Sequence, residues 1–169
     1  EGILYMTSQN APDEERGILE AIERGTEREL RPVARKFDHA DEYPHEIVEQ
    51  MKELGPFGAT IATEYGGLGL DFRYAAVVAE ELAMAQASGV AFALHSDIVA
   101  PYIETYGQAP QKKQWLPKMA TGEIIGAIAM SEPGTGSDLQ GVRTRAVLDG
   151  DEWVINGSKT FISNGINCD

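Results

Sequence analysis

Four hydroxyls and one aromatic ring, gathered in two short stretches, are the residues of this chain best suited to chemistry. Ser131 and Ser137 belong to residues 128–138, IAMSEPGTGSD, while Thr160, Phe161 and Ser163 belong to residues 153–165, WVINGSKTFISNG. Hydroxyls both donate and accept, and the intervening glycines let a ligand approach the main chain closely. With Phe161 adding a flat apolar face, the set suits a planar heterocycle with polar edges better than a bare phosphate. A flavin and a nucleobase both meet that description. Taken singly, each stretch is ordinary β-sheet punctuation: Pro133-Gly134 and Gly136-Ser137-Asp138 spell a turn, and Asn156-Gly157 between WVI and KTFI spells a hairpin. Glu132 and Asp138 resemble an acid/base pair, but loop carboxylates beside Pro and Gly usually cap or turn the backbone. Both are read as structural.

Other groups that could do chemistry carry weaker patterns. His39 and His45 stand near Asp38, Asp41 and Glu42 in a polar connector, without the spacing of a metal-ligand set. EYGGLGLD, residues 64–71, lacks both the G-x-G-x-x-G register and a strand-to-helix setting, so it is not a dinucleotide fingerprint. It reads as a tight connection that ends on Asp71 as a helix N-cap. His95 reads as a satisfied core histidine and Cys168, the single cysteine, as an incidental thiol.

The elements that must position these residues fall into two kinds. Apolar positions at helical spacing predict helices over residues 12–37, interrupted at Pro32, and over residues 45–54. Three more are predicted over residues 71–87, 90–106 with a kink at Pro101, and 108–120. Past Gly122 the pattern changes to short apolar runs, predicting strands over 124–130, 142–148, 153–155 and 160–163. Asp149-Gly150 and Asn156-Gly157 supply the turns between the later ones. The fold class is therefore α+β: an all-helical bundle over residues 1–122, then the first strands of an antiparallel β-domain over 123–169. So few strands with open edges seldom stand alone, so the β-part reads as incomplete.

Composition narrows the function further. The formal net charge is −13, from 27 acidic and 14 basic residues, which argues against nucleic acid and anionic membrane surfaces as partners. A lone cysteine allows no intrachain disulfide and fits a reducing compartment. No apolar run reaches membrane-spanning length, and residues 1–15 show no targeting pattern. The chain opens on Glu1, and Met6 could be the natural start, with residues 1–5 a remnant of another origin.

The two stretches, with YGGLGLD, LHSDIVAPYI and QKKQWLPKMATGEIIGAIAM upstream of them, resemble the acyl-CoA dehydrogenase family of FAD flavoproteins. The resemblance runs from about Pro12 to the last residue, and its wording is nearest the long-chain branch. It implies FAD-dependent α,β-dehydrogenation of fatty acyl-CoA thioesters, with electron-transfer flavoprotein as acceptor and a homotetrameric assembly. It implies main-chain contacts from Ala129 and Met130 to the flavin's pyrimidine side and a hydroxyl at Ser131, and it places Ile128 and Gly136 among the cofactor-binding residues. Phe161 would pack against the ring system with Ile162 also at the cofactor, Ser163 would donate toward the flavin N5, and Ser137 would meet acyl-CoA. Ser131 stands where the family commonly has Thr, and Phe161 where it often has Trp; both departures keep the chemical type. The family's catalytic carboxylate aligns beyond Asp169, so no catalytic residue is expected here. These residues by themselves are expected to hold FAD poorly and to turn over nothing. The compartment implied is the bacterial cytoplasm, or alternatively the mitochondrial matrix. Two other readings stay open: an acyl-CoA oxidase using O2, and a non-catalytic helical binding or scaffold module.

Overall fold

The computed structural model describes residues 13–40 and 42–169. Six α-helices come first, α1 Asp13–Gly25, α2 Arg31–Ala40, α3 His45–Leu54, α4 Phe72–Met84, α5 Ala100–Tyr106 and α6 Ala109–Ala120; strands β1 Arg145–Asp149 and β2 Glu152–Asn156 follow. No strand occurs between residues 71 and 106, as the helical reading requires. The start expected at Pro12 lies outside the described residues.

Both expected proline breaks take one form. A π-helix, Thr26–Leu30, joins α1 to α2 just before Pro32, and a second, Leu94–Val99, runs into α5 just before Pro101. Proline brings no N–H, and its ring collides with the carbonyl one turn back. A widened turn carries the helix past that collision without ending it. Two helices are shorter than the apolar pattern suggests, because α4 stops before Gln86 (φ 58°) and the helix leading into α5 starts only after Ala91 (φ 50°). These left-handed residues cannot continue a right-handed helix.

Local chemistry fixes the α4 start. Asp71 accepts a bond from the Arg73 N–H at 2.9 Å, the N-cap expected of it. The loop before it is bracketed by Leu68 N–H to Gly58 O (2.8 Å), Gly69 N–H to Ile61 O (2.9 Å) and Leu70 N–H to Ala59 O (2.8 Å). Gly67 makes this possible, since any side chain there would collide with the Ile61 carbonyl.

Two larger apolar clusters and a smaller one of Leu19, Tyr74 and Val77 form the core. One gathers Ile22, Leu30 and Ala34 with Ile47, Val48 and Met51 of α3 and Val78 and Leu82 of α4. The other gathers Ile61, Val99 and Ala100 with Leu116, Met119 and Ala120 of α6. The Phe57 ring, in the first cluster, lies 5.1 Å from Phe92 of the same cluster and 5.3 Å from His95, edge-on. Among the described residues no helix is long and apolar enough to cross a membrane, and no group of three or more His, Cys, Asp or Glu could hold a metal ion.

The β-part departs from expectation in three places. β1 and β2 pair antiparallel from Arg145↔Asn156 to Asp149↔Glu152, across a two-residue loop of Gly150 (φ 62°) and Asp151. A glycine with positive φ first in such a loop matches the right-handed twist of a hairpin. The Asn156-Gly157 hairpin does not form. It would need positive φ at both residues, and neither has it. Residues 160–163 are not a strand, since Phe161 (φ 54°) and Asn164 (φ 61°) turn the chain. Residues 124–130 form no ladder either, because their backbone is held by single bonds to scattered partners instead of by a neighbouring strand.

Candidate functional site

The stretch 124–131 is pinned to the helical part by one buried ring. His95, 1% exposed, lies 3.2 Å through Nε2 from Met119 O, and its Nδ1 accepts the Gly126 N–H at 2.9 Å. Accepting at Nδ1 fixes the neutral tautomer with the proton on Nε2, which donates to Met119 O. Burial holds the imidazole pKa below its ordinary value, with the Met119 carbonyl opposing the shift. The expected satisfied core histidine is therefore what the structure contains, and it ties α6 to the extended segment.

From Gly126 onward the main chain has donors to spare. The N–H groups of Ala127, Ile128, Ala129, Met130 and Ser131 have no hydrogen-bond partner among the described residues. Ala129 and Met130 are exposed, and Ile128 and Ser131 half-buried. Water satisfies such groups at a surface; because successive N–H groups of an extended chain face opposite sides, those of Ala127, Ala129 and Ser131 lie along one edge, open to a ligand with acceptors.

The second stretch returns to lie along the first. Thr160 N–H donates to Ser131 O at 3.0 Å, Asn164 Nδ2 to Gly126 O at 3.4 Å, and Asp169 N–H to Ile125 O at 3.2 Å. Phe161 follows directly after the Thr160–Ser131 bond, with its ring 95% exposed; Ile162 is half-buried and Ser163 exposed. The structure thus brings Ile128–Ala129–Met130–Ser131 and Phe161–Ile162–Ser163 together as neighbouring strips. Gly136 and Ser137 lie further along, exposed in the adjoining loop.

That loop is closed by Glu132 and Thr135, whose backbones exchange bonds of 2.9 and 3.0 Å. The Glu132 carboxylate, 8% exposed, accepts the N–H groups of Arg143 (2.8 Å) and Thr144 (2.9 Å) and pairs with Lys159 Nζ at 3.0 Å. The Thr144 hydroxyl, the Arg143 and Thr144 amides and Lys159 together hold its pKa down to about 2. A carboxylate that acidic and that engaged is no proton acceptor near neutral pH. Asp138 accepts the Gln140 N–H at 3.1 Å and caps a short 3-10 turn. Both carboxylates accept backbone N–H groups, the capping and turning contacts expected of loop acids beside Pro and Gly. Lys159 is the residue that the sequence reading passed over. Its Nζ also donates to Met130 O at 2.9 Å, so one ammonium holds the loop and the donor strip together. Its place in the NGSK motif was visible, but a partner 29 residues away was not.

Residues 12–123 match the family model described as "Acyl-CoA dehydrogenase, N-terminal domain", and residues 127–169 the one described as "Acyl-CoA dehydrogenase, middle domain". This chain belongs to the acyl-CoA dehydrogenase family. It is 47% identical over 146 residues to the mitochondrial long-chain specific acyl-CoA dehydrogenase of Sus scrofa, covering 86% of this chain and 34% of that one. The acyl-CoA dehydrogenase of Geobacillus kaustophilus superposes with a TM-score of 0.87 at 43% identity, over 96% of this chain and 43% of that one. An acyl-CoA dehydrogenase of Bacillus anthracis, solved complexed with FAD, superposes with a TM-score of 0.84 at 32% identity, over 96% and 28%. The chain therefore spans about a third of the length of the curated relatives it matches.

Proposed function

We propose that these residues are the N-terminal part of an enzyme that uses FAD to dehydrogenate fatty acyl-CoA thioesters between the α and β carbons. The observation that carries this reading is the row of five unused main-chain N–H groups, Ala127 to Ser131, beside the exposed ring of Phe161. The alternate donors that share one edge, next to a free aromatic face, fit the polar edge and flat body of a flavin. When bound, the flavin supplies a two-electron acceptor.

The chain's own groups have separable tasks in this reading. Ile128, Ala129 and Met130 present main-chain groups to the pyrimidine edge, and Ser131 adds a hydroxyl. Phe161 and Ile162 shield the ring from water, and Gly136 keeps the loop clear of it. Ser163 holds a donor toward N5. Ser137, outside this strip, contacts acyl-CoA. Glu132 and Asp138 are occupied by backbone donors, so the carboxylate that removes the α-proton comes from the remaining two-thirds of the family's length. Electron-transfer flavoprotein as acceptor, a homotetramer, and a reducing compartment (bacterial cytoplasm or mitochondrial matrix) complete the proposal.

The test uses the full-length protein. It should purify yellow, and anaerobic addition of a long-chain acyl-CoA should bleach the flavin absorbance. A protein that binds FAD yet is not bleached by any acyl-CoA would refute the activity. One that binds no flavin at all would refute the cofactor too.

A further inference from the structure

Lys159 is placed between two acceptors of different kinds. Its ammonium lies 2.9 Å from the Met130 carbonyl oxygen and 3.0 Å from Glu132 Oε1, with 23% of the lysine side chain and 6% of the glutamate side chain exposed. The Met130 carbonyl belongs to the same planar trans peptide as the Ser131 N–H, and in that unit the two groups point in opposite directions. The ammonium therefore draws electron density from a peptide whose N–H has no partner among the described residues. Charge-assisted bonds are stronger than neutral ones, and a bond at one end of a peptide strengthens the donor at the other.

We propose, resting on the flavin reading above, that Lys159 and Glu132 are positioning residues that set the donor strength of the Ser131 N–H and so the preference of the site for reduced over oxidised cofactor. Reduction by two electrons places negative charge on the flavin, and a sharper donor at its edge favours that form. The Glu132 carboxylate opposes the effect, because it balances the ammonium at close range with little water between them. The two residues thus act with opposite signs. A merely structural clamp would lose function in the same direction whichever partner was removed.

The experiment measures flavin midpoint potential and FAD dissociation constant in the full-length protein. Lys159→Met should lower the ratio of reduced to oxidised FAD affinity about tenfold, which lowers the midpoint potential by about 30 mV for a two-electron couple. Glu132→Gln should raise it by a similar amount, and Lys159→Arg should keep the ratio within about twofold. If Lys159→Met does not fold, Lys159→Gln carries the same test, since it removes the charge and keeps an uncharged N–H donor on a slightly shorter side chain. Shifts of the same sign in the lysine and glutamate variants, or changes below about twofold in both, would overturn the proposal. A parent protein that binds FAD but whose variants do not shift sinks this inference alone; a parent that binds no FAD sinks the flavin reading with it.

Discussion

Replacing His95 by Leu tests the joint between the helical part and the donor strip. The ring makes two hydrogen bonds, to Met119 O at 3.2 Å and from the Gly126 N–H at 2.9 Å, in a position that is 1% exposed. Each bond contributes about 1 kcal/mol net, and a polar partner left unpaired away from water costs about 1–3 kcal/mol. Leucine fills much of the volume but offers neither donor nor acceptor. A loss of about 2–4 kcal/mol is therefore expected for His95→Leu. Urea unfolding followed through Trp115 and Trp153 fluorescence would show it as a lower midpoint at unchanged slope. Amide exchange would localise it: protection at Gly126 should fall by at least tenfold, while the α3 core positions Ile47 and Met51 keep theirs relative to global unfolding. A loss below about 1 kcal/mol with unchanged exchange at Gly126 would refute the argument that His95 holds this joint.

Asp97, half-buried, has its carboxyl pushed up to about 6 by burial. The native state therefore binds its proton more readily than the unfolded chain does, and stability from this group is lost as pH rises from about 4 through 6. Asp97→Asn should stabilise the protein by about 1–2 kcal/mol at pH 7.5, seen in urea titrations, and should remove that decline. His95 acts in the opposite sense. Its lowered pKa gives stability that is complete above about pH 6.5 and is lost as pH falls through the native value, a slope that His95→Leu should abolish. Gly157→Ala would place a methyl against the Thr144 hydroxyl and only 2.8 Å from its Cα. A loss of about 1–3 kcal/mol is expected in thermal melts. Phe161→Ala should leave the melting temperature of the cofactor-free protein unchanged, since the ring is 95% exposed, yet weaken FAD retention at least tenfold in equilibrium dialysis. Glu81 titrates above its usual range through burial and through Glu23, Glu27 and Glu80. Glu81→Gln should therefore raise stability by a few tenths of a kcal/mol at neutral pH, read as a small rise in Tm.

Features fixed by near neighbours were legible in the sequence. Asp71 caps α4 because its side chain needs only the N–H two residues on, and Gly150 turns the β1–β2 hairpin because its own φ permits it. Pro32 and Pro101 announced irregular helix, though not the π-turn form it takes. Where distant parts of the chain compete with a local signal, the local signal lost. Asn156-Gly157 is a strong hairpin pair, but the chain beyond it bonds to Ser131, 29 residues before Thr160, and cannot also fold back on β2. The run 124–130 has strand composition, yet its bonds go to His95, Asn164 and Asp169. For the site, residue types marked the two stretches and the resemblance joined them, while Lys159 needed coordinates to show what it touches.

The π-turn before Pro32 also bears on how the helical stripe is counted. Ile22, Thr26, Leu30 and Ala34 are all buried and follow one another at steps of four. In a regular α-helix each such step overshoots a full turn by about 40°, so three of them would swing Ala34 about 120° off the line of Ile22. A π-turn accommodates one extra residue and takes back about 100° of that rotation. The widened turn therefore resets the phase of the stripe, and one uninterrupted apolar seam faces the core across two helices. Were Thr26–Leu30 to run as regular α-helix with every residue kept, α2 would turn about 100° about its own axis and carry Ala34 off the seam, whereas deleting one residue there would let a regular α-helix keep the same phase.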